Sequence, residues 1–569
     1  MQRCRAVLLA LLSIFVIHQA YADSTTDLQQ RQQERALQQE REKRLAEPRV
    51  QLQPAIPSTS GKITTIDKYC FDVDRVQLVV PAAVKQQWPF ITNAFVKKRF
   101  VFLKSTILHY RGQCIGKNKM QEIISALLSH TLAAGYTTTR FYIPNQDISK
   151  RVFKINIVPG FIHAIRINGD AGHNMIRFAF PIHRNELLNI RDLEQGLEQI
   201  KRLQSVDVKM NLVPAENVIG GTDIVLNVSR IKPWQVYGSV DNAGVETTGV
   251  YIARGGAIFD NPLGLADQLS LGVNSDTKGE QSVGQRGMDL QYSVPFGYWL
   301  FSLTGSYARF SQLFGDHNQL ISSGTTRDYS VKLSQVVYRD TNDKMNWYGK
   351  LQQRHARSYL DDLEILVQRR NTSAAELGFH SKHYFDRSVL DIVVASRWGV
   401  PWFGGERDPD HLSSTSPTFQ YNLQTLDLSF NQPFSAFNVP FQYQTVIRGQ
   451  WTRSHLYGAD FFSIGSRYSV RGFGEDNTLQ AEKGLYWRNE LSCPLWRSGQ
   501  QFYLGVDAGQ LGGPTTRYLP GDHLVGGFIG LRGDLYGISY DLFSGWPIRQ
   551  PSGFGVDGPN IGFSLSASY

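Results

Sequence analysis

The residues with the most chemistry to offer lie between Phe462 and Gly509: a V-R-G-F run at Val470, Arg471, Gly472 and Phe473, and downstream the glycine-flanked Asp507. An arginine on a glycine-bearing loop folds back onto a carboxylate only where the surrounding structure walls the pair off. A large β-barrel lumen provides such walls. Along Phe502 to Gly509 the alternation puts Phe502, Leu504, Val506 and Ala508 on one face and Tyr503, Gly505, Asp507 and Gly509 on the other. The preceding segment places Leu485, Trp487, Leu491 and Cys493 opposite Tyr486, Arg488, Glu490 and Ser492, so Arg488 and Glu490 are expected to face the lumen with Asp507. Apolar-out, charged-in alternation marks a membrane barrel wall. Over so short a stretch, a soluble antiparallel sheet with one wet face reads the same way.

No nucleophile and base group together, and no phosphate-binding loop, G-x-S-x-G element or metal-ligand spacing is visible, so neither catalysis nor a cofactor is expected. Arg3 and Arg5, an apolar run from Ala6 to Ile17 and Ala20-Tyr21-Ala22 read as a secretory signal over 1–22. Beyond it no run approaches the ~20 apolar residues of a membrane-spanning helix. Aromatic residues at 12% and 51 glycines lean towards a barrel. Cys70 and Cys114 fall within one small exported domain and are expected to be bridged, which stabilises by roughly 3 to 4 kcal/mol. Cys493 is expected to face lipid. The net charge of +9 is dispersed and not interleaved with aromatics, so nucleic acid is not an expected partner; lipopolysaccharide phosphates or a conduit suit it better.

Four regions follow. Residues 23–47 are dominated by helix formers with too few apolar residues to pack in a dry core; either a solvated or coiled-coil helix or a plug standing in a wet pore fits. Residues 48–66 are a Pro/Ser/Gly linker. Residues 67–160 and 161–231 repeat the order β-α-α-β-β, the first opening with a strand over Phe71 to Val80 and a helix over Val84 to Phe95, giving two small α/β modules whose mixed sheets leave an edge open for an added strand. From 232 to 569 strict alternation takes over, with Met288, Leu290, Tyr292 and Val294 opposing Asp289, Gln291 and Ser293. About sixteen such segments, at about 21 residues each with connections, fit an antiparallel transmembrane β-barrel. Pro295 to Gly297 and Gln432 to Pro440 read as short periplasmic turns, and about 455–481 as a long loop pointing outward or folding into the lumen.

With helix, linker, paired modules, barrel and V-R-G-F loop in that order, the chain resembles the outer-membrane transporters of two-partner secretion, the TpsB family. The resemblance covers essentially the whole mature chain; Arg191 to Ser205, Lys232-Pro233-Trp234, Asp241 to Gly244 and Ser469 to Phe473 carry it. It implies that the modules are periplasmic POTRA domains that capture a large TpsA-type exoprotein (adhesin, haemolysin or contact-dependent inhibition toxin). It implies that Arg471 pairs with Asp507 and that the amino-terminal helix occupies the pore. Outer-membrane lipid and lipopolysaccharide are the expected surroundings, and the barrel-assembly machinery the expected inserter. A barrel-assembly insertase is the alternative reading, disfavoured by two modules and a plug-like helix.

Overall fold

The structure, a computed structural model, describes residues 30–52, 67, 69–169, 172–278, 283–314, 320–474, 478–495, 499–556 and 558–569. The expected signal, the start of the first helix and most of the linker lie outside the described residues.

In the first module Val152–Val158 is the central strand, parallel to Arg75–Val79 and antiparallel to Arg140–Tyr142. Its inward residues Phe153, Ile155 and Ile157 pack on Ile123 and Leu127 of the helix Lys117–Ala133. Two segments differ from the sequence reading. The single strand expected over Phe71 to Val80 is two, because Cys70–Val73 pairs with Gln113–Gly116 while Arg75–Val79 pairs with Val152–Val158. The Cys70–Cys114 disulfide joins the first of these pairings. The helix expected over Val84 to Phe95 is broken into Ala82–Gln87 and Asn93–Arg99, since Pro89 lacks an N–H and forces Trp88 out of the helical region.

In the second module Gly221–Arg230 lies between the parallel strand Phe161–Gly169 and the antiparallel strand Val206–Pro214. The helix Ile190–Lys201 starts at Asn189, whose side chain accepts from the Arg191 amide. Leu193, Leu197 and Ile200 form its core stripe. At Gly196 a Cβ would fall 2.0 Å from the Phe180 ring, so glycine is what lets this helix close onto the module.

From Trp234–Asp241 to Asn560–Ser568, sixteen antiparallel strands among the described residues form a closed barrel. The last strand meets the first, with Ser564 to Ser568 alongside Asp241 to Tyr237. Outward residues such as Val273, Met288, Leu303, Val331, Leu377, Trp487, Leu504 and Val506 are apolar and exposed, a bilayer-facing surface. No helix among the described residues is long and apolar enough to cross a membrane. The hairpin within 432–440 turns at Phe437 and Asn438, with φ of 52° and 60°, the left-handed pair that suits strand twist. The strands Val439–Thr452 and Lys483–Leu495 are wall neighbours; between them the chain leaves the wall and folds into the lumen.

Candidate translocation lumen

The loop is held in place by an apolar core built inside the barrel. A small hairpin of Phe462–Ile464 and Leu479–Ala481 joins Val470 and Phe473 in packing against the wall residues Val446, Tyr486, Leu511 and Leu524. Val470 and Phe473 are wholly buried. Gly472 adopts φ of 111°, and a Cβ there would stand 2.6 Å from the Trp546 carbonyl. The facing wall is correspondingly bare: a Cβ on Gly526 would fall 1.9 Å from the Arg471 carbonyl, and one on Gly545 2.8 Å from the Gly472 Cα. A trench of glycines thus receives the loop backbone.

This seating delivers Arg471 to two carboxylates. Its Nε donates to Asp507 Oδ2 at 2.7 Å and its Nη2 to Asp507 Oδ1 at 3.1 Å, a bidentate fork. Nη1 donates to Glu490 Oε2 at 2.6 Å. The guanidinium also lies over the Phe528 ring, 3.5 Å from its centroid. Asp507 further accepts the backbone amides of Arg471 and Asn489, each at 3.1 Å, and is fully buried. Arg488, its direct cross-strand partner, stands 3.8 Å away. Arg532 completes the set, donating to Glu490 Oε1 at 2.8 Å. Val470, Arg471, Gly472, Phe473, Arg488, Glu490 and Asp507 are therefore gathered in one place.

The lumen also holds a helix over residues 30–46, about 25 Å long at 1.5 Å per residue. Near its start Gln30 and Gln33 donate to the loop carbonyls of Gly458 and Ala459 at 2.5 and 3.1 Å, and Glu34 accepts from Ser466 at 2.6 Å. Near its end Arg41 forks onto Asp427 at 3.1 and 2.5 Å. Arg44, one turn on, reaches Asp391 at 3.1 Å and Asp427 at 2.7 Å. Lys332 grips Glu40 at 2.7 Å, and Lys382 donates to the Arg44 carbonyl at 2.6 Å. These contacts are polar and charged almost throughout, and they leave an arginine-rich space beside the helix, about 500 Å³, lined by Arg35, Arg467, Arg471, Arg488 and Arg532 among others.

Asp427 and Asp391 were not foreseen from sequence. Each is a single acid in a strand whose alternation reads as generic lumen lining. The signal available was on the helix, where Arg41 and Arg44 share one face.

After the helix, residues 49–52 pass between the second module and the barrel rim. Leu52 N donates to Glu194 Oε1 at 2.9 Å, and Arg339 Nη2 reaches both the Val50 carbonyl at 3.2 Å and Glu198 Oε1 at 2.6 Å. Lys344 bonds Glu198 at 3.1 Å. Burial pushes the Glu198 carboxyl up, but Lys344 and Arg339 outweigh it and hold the group down at about 2. Asp192, on the same helix, accepts from the Tyr298 hydroxyl at the rim. Its burial is not offset by any cation, and its pKa is raised to about 6.

Comparison with known proteins agrees with this architecture. The sequence model of the family described as haemolysin secretion/activation protein ShlB/FhaC/HecB matches residues 220–533. POTRA domain models match 97–160, of ShlB type, and 161–214. Outer membrane transporter CdiB-2 of Burkholderia pseudomallei (strain 1026b) is 35% identical over 97% of this chain and 95% of its own. Hemolysin transporter protein ShlB of Serratia marcescens is 29% identical over 88% and 83%. Among solved structures, CdiB from Escherichia coli superposes with a TM-score of 0.84 at 25% identity, covering 95% of this chain and 98% of that one. The chain belongs to the haemolysin secretion/activation family: it is a two-partner secretion transporter, a β-barrel of the bacterial outer membrane with POTRA domains in the periplasm.

Proposed function

We propose that the barrel carries a large TpsA-type exoprotein to the cell surface as an extended, unfolded chain, that the POTRA domains recognise its amino-terminal region, and that the helix over residues 30–46 is the resident plug. One observation carries this reading: a helix retained in a closed barrel by exchangeable polar contacts, with its following linker running out at the POTRA end. Such contacts can be traded for water or for a passing polar backbone. Packed apolar side chains could not be exchanged so readily.

The open sheet edges, Arg75–Val79 and Arg140–Tyr142 in the first module and Val206–Pro214 in the second, suit capture of a client by strand addition. No phosphate-binding loop is present in the sequence, and the energy is assigned to client folding outside the cell. Arg471, gripped by Asp507 and Glu490, is the strut that holds the loop against the wall while the client passes. Removing residues 30–46 should raise single-channel conductance in planar bilayers several-fold while secretion is largely retained. Unchanged conductance would refute the plug.

A further inference from the structure

On the outside of the barrel, where the second POTRA domain meets the periplasmic rim, lies a crevice of about 420 Å³, inside the roughly 300–1,000 Å³ range of small-molecule sites. Its lining is apolar: Phe178 from the POTRA helix His173–Ala179, and Val294, Phe296, Trp299, Phe301 and Leu333 from three adjacent strands and their turn. Parity directs Val294, Phe301 and Leu333 outward, and these three are continuous with the bilayer-facing surface. The junction is specific. Gly297 N donates to the Phe178 carbonyl at 2.8 Å, and the Phe178 and Phe296 rings meet edge-on at 5.7 Å.

The neighbouring wall carries the aromatic row expected at a membrane interface. Trp299 meets Trp347 edge-on at 5.7 Å, and the Trp347 indole donates to Gln335 at 3.0 Å. The crevice is therefore at the level where acyl chains begin. Water there would face a lining that is almost wholly apolar.

We propose that this crevice binds the acyl chain of a phospholipid of the periplasmic leaflet, with Phe178 as a wedge that fixes the second POTRA domain to the membrane. The occupant follows from continuity: the crevice opens onto the surface that the bilayer already covers. Arg177, exposed and next to Phe178, brings a cation to the same helix, suited to the lipid phosphate. The site is independent of how a client crosses the lumen.

The test uses the full chain in phospholipid vesicles doped with a phosphatidylglycerol carrying a diazirine in its acyl chain, with adducts mapped by mass spectrometry after irradiation. Adducts are expected on the Phe178 peptide and on the Phe296 to Phe301 peptide. The second set should fall at least threefold in Phe178→Ala, while labelling of the bilayer-facing Leu504 and Val506, on the far side of the barrel, is unchanged. Heat-modifiable migration of the variant verifies its fold. Absence of adducts on the Phe178 peptide, or labelling of the rim peptide that Phe178→Ala leaves unaltered, would overturn the proposal.

Discussion

Arg471 ties the loop to two wall carboxylates at once, and its surroundings rank the substitutions. Arg471→Ala removes the fork on Asp507 and one of the two guanidinium partners of Glu490, whereas Asp507→Ala leaves the guanidinium its bond to Glu490. Breaking a buried pair from one side costs about 3–5 kcal/mol, with wet surroundings favouring the lower end. We expect Arg471→Ala to reduce secretion most, Asp507→Ala less, and Arg471→Lys in between, because an ammonium keeps the charge but loses the fork. All three should remain heat-modifiable barrels. Secretion assays on matched amounts of inserted protein check the order, and equal secretion from all variants would refute the strut. At this scale much was legible: parity alone put Asp507, Arg488 and Glu490 on one face. What could not be read was which acids grip the helix, since Asp427 and Asp391 sit in strands far from Arg41 and Arg44 in sequence, and only barrel closure joins them.

Among the elements, the helix Ile190–Lys201 is the junction between POTRA domain, linker and barrel, and two of its three acids, Asp192 and Glu198, make that junction pH-dependent in opposite senses. Glu198 is held low, so its contribution is full above the ordinary carboxylate pKa and declines as pH falls towards about 2. Asp192 is raised to about 6, so the junction is strongest with its carboxyl protonated and weakens as pH rises from about 4 to 6. The penalty at neutral pH is on the order of 1–3 kcal/mol. Asp192→Asn should remove the weakening between about pH 4 and 6, measured as the distance distribution between spin labels on the second POTRA domain and the barrel rim. A wild-type distribution that does not change over that interval would contradict it. The elements themselves were mostly visible in the sequence as period and length. The exceptions have local causes: Pro89 cut one helix, and pairing of Cys70–Val73 with Gln113–Gly116 split one strand. Neither strand pairing nor the passage of residues 49–52 beneath the rim leaves a periodic trace.

The whole molecule joins a closed wall to a separately built interior. Sixteen strands close on themselves, leaving no free edge among the described wall strands. The lumen is filled by one loop seated in a glycine trench and one helix held by ion pairs. The barrel class was evident from alternation, but the depth to which the described residues of 453–474 and 478–482 enter the lumen was not. That depth depends on glycines at 526 and 545, which in sequence resemble any other wall glycine.

Under the proposed function the helix over residues 30–46 leaves the lumen before a client passes. The most direct measurement is a tether: cysteines replacing Arg41 and Asp427, with Cys493→Ser, joined in the outer membrane by a short bifunctional thiol cross-linker. Tethered protein should keep the low conductance of the plugged pore and lose secretion of the partner exoprotein, while the untethered double variant secretes. Secretion through tethered barrels at the untethered rate would contradict the account.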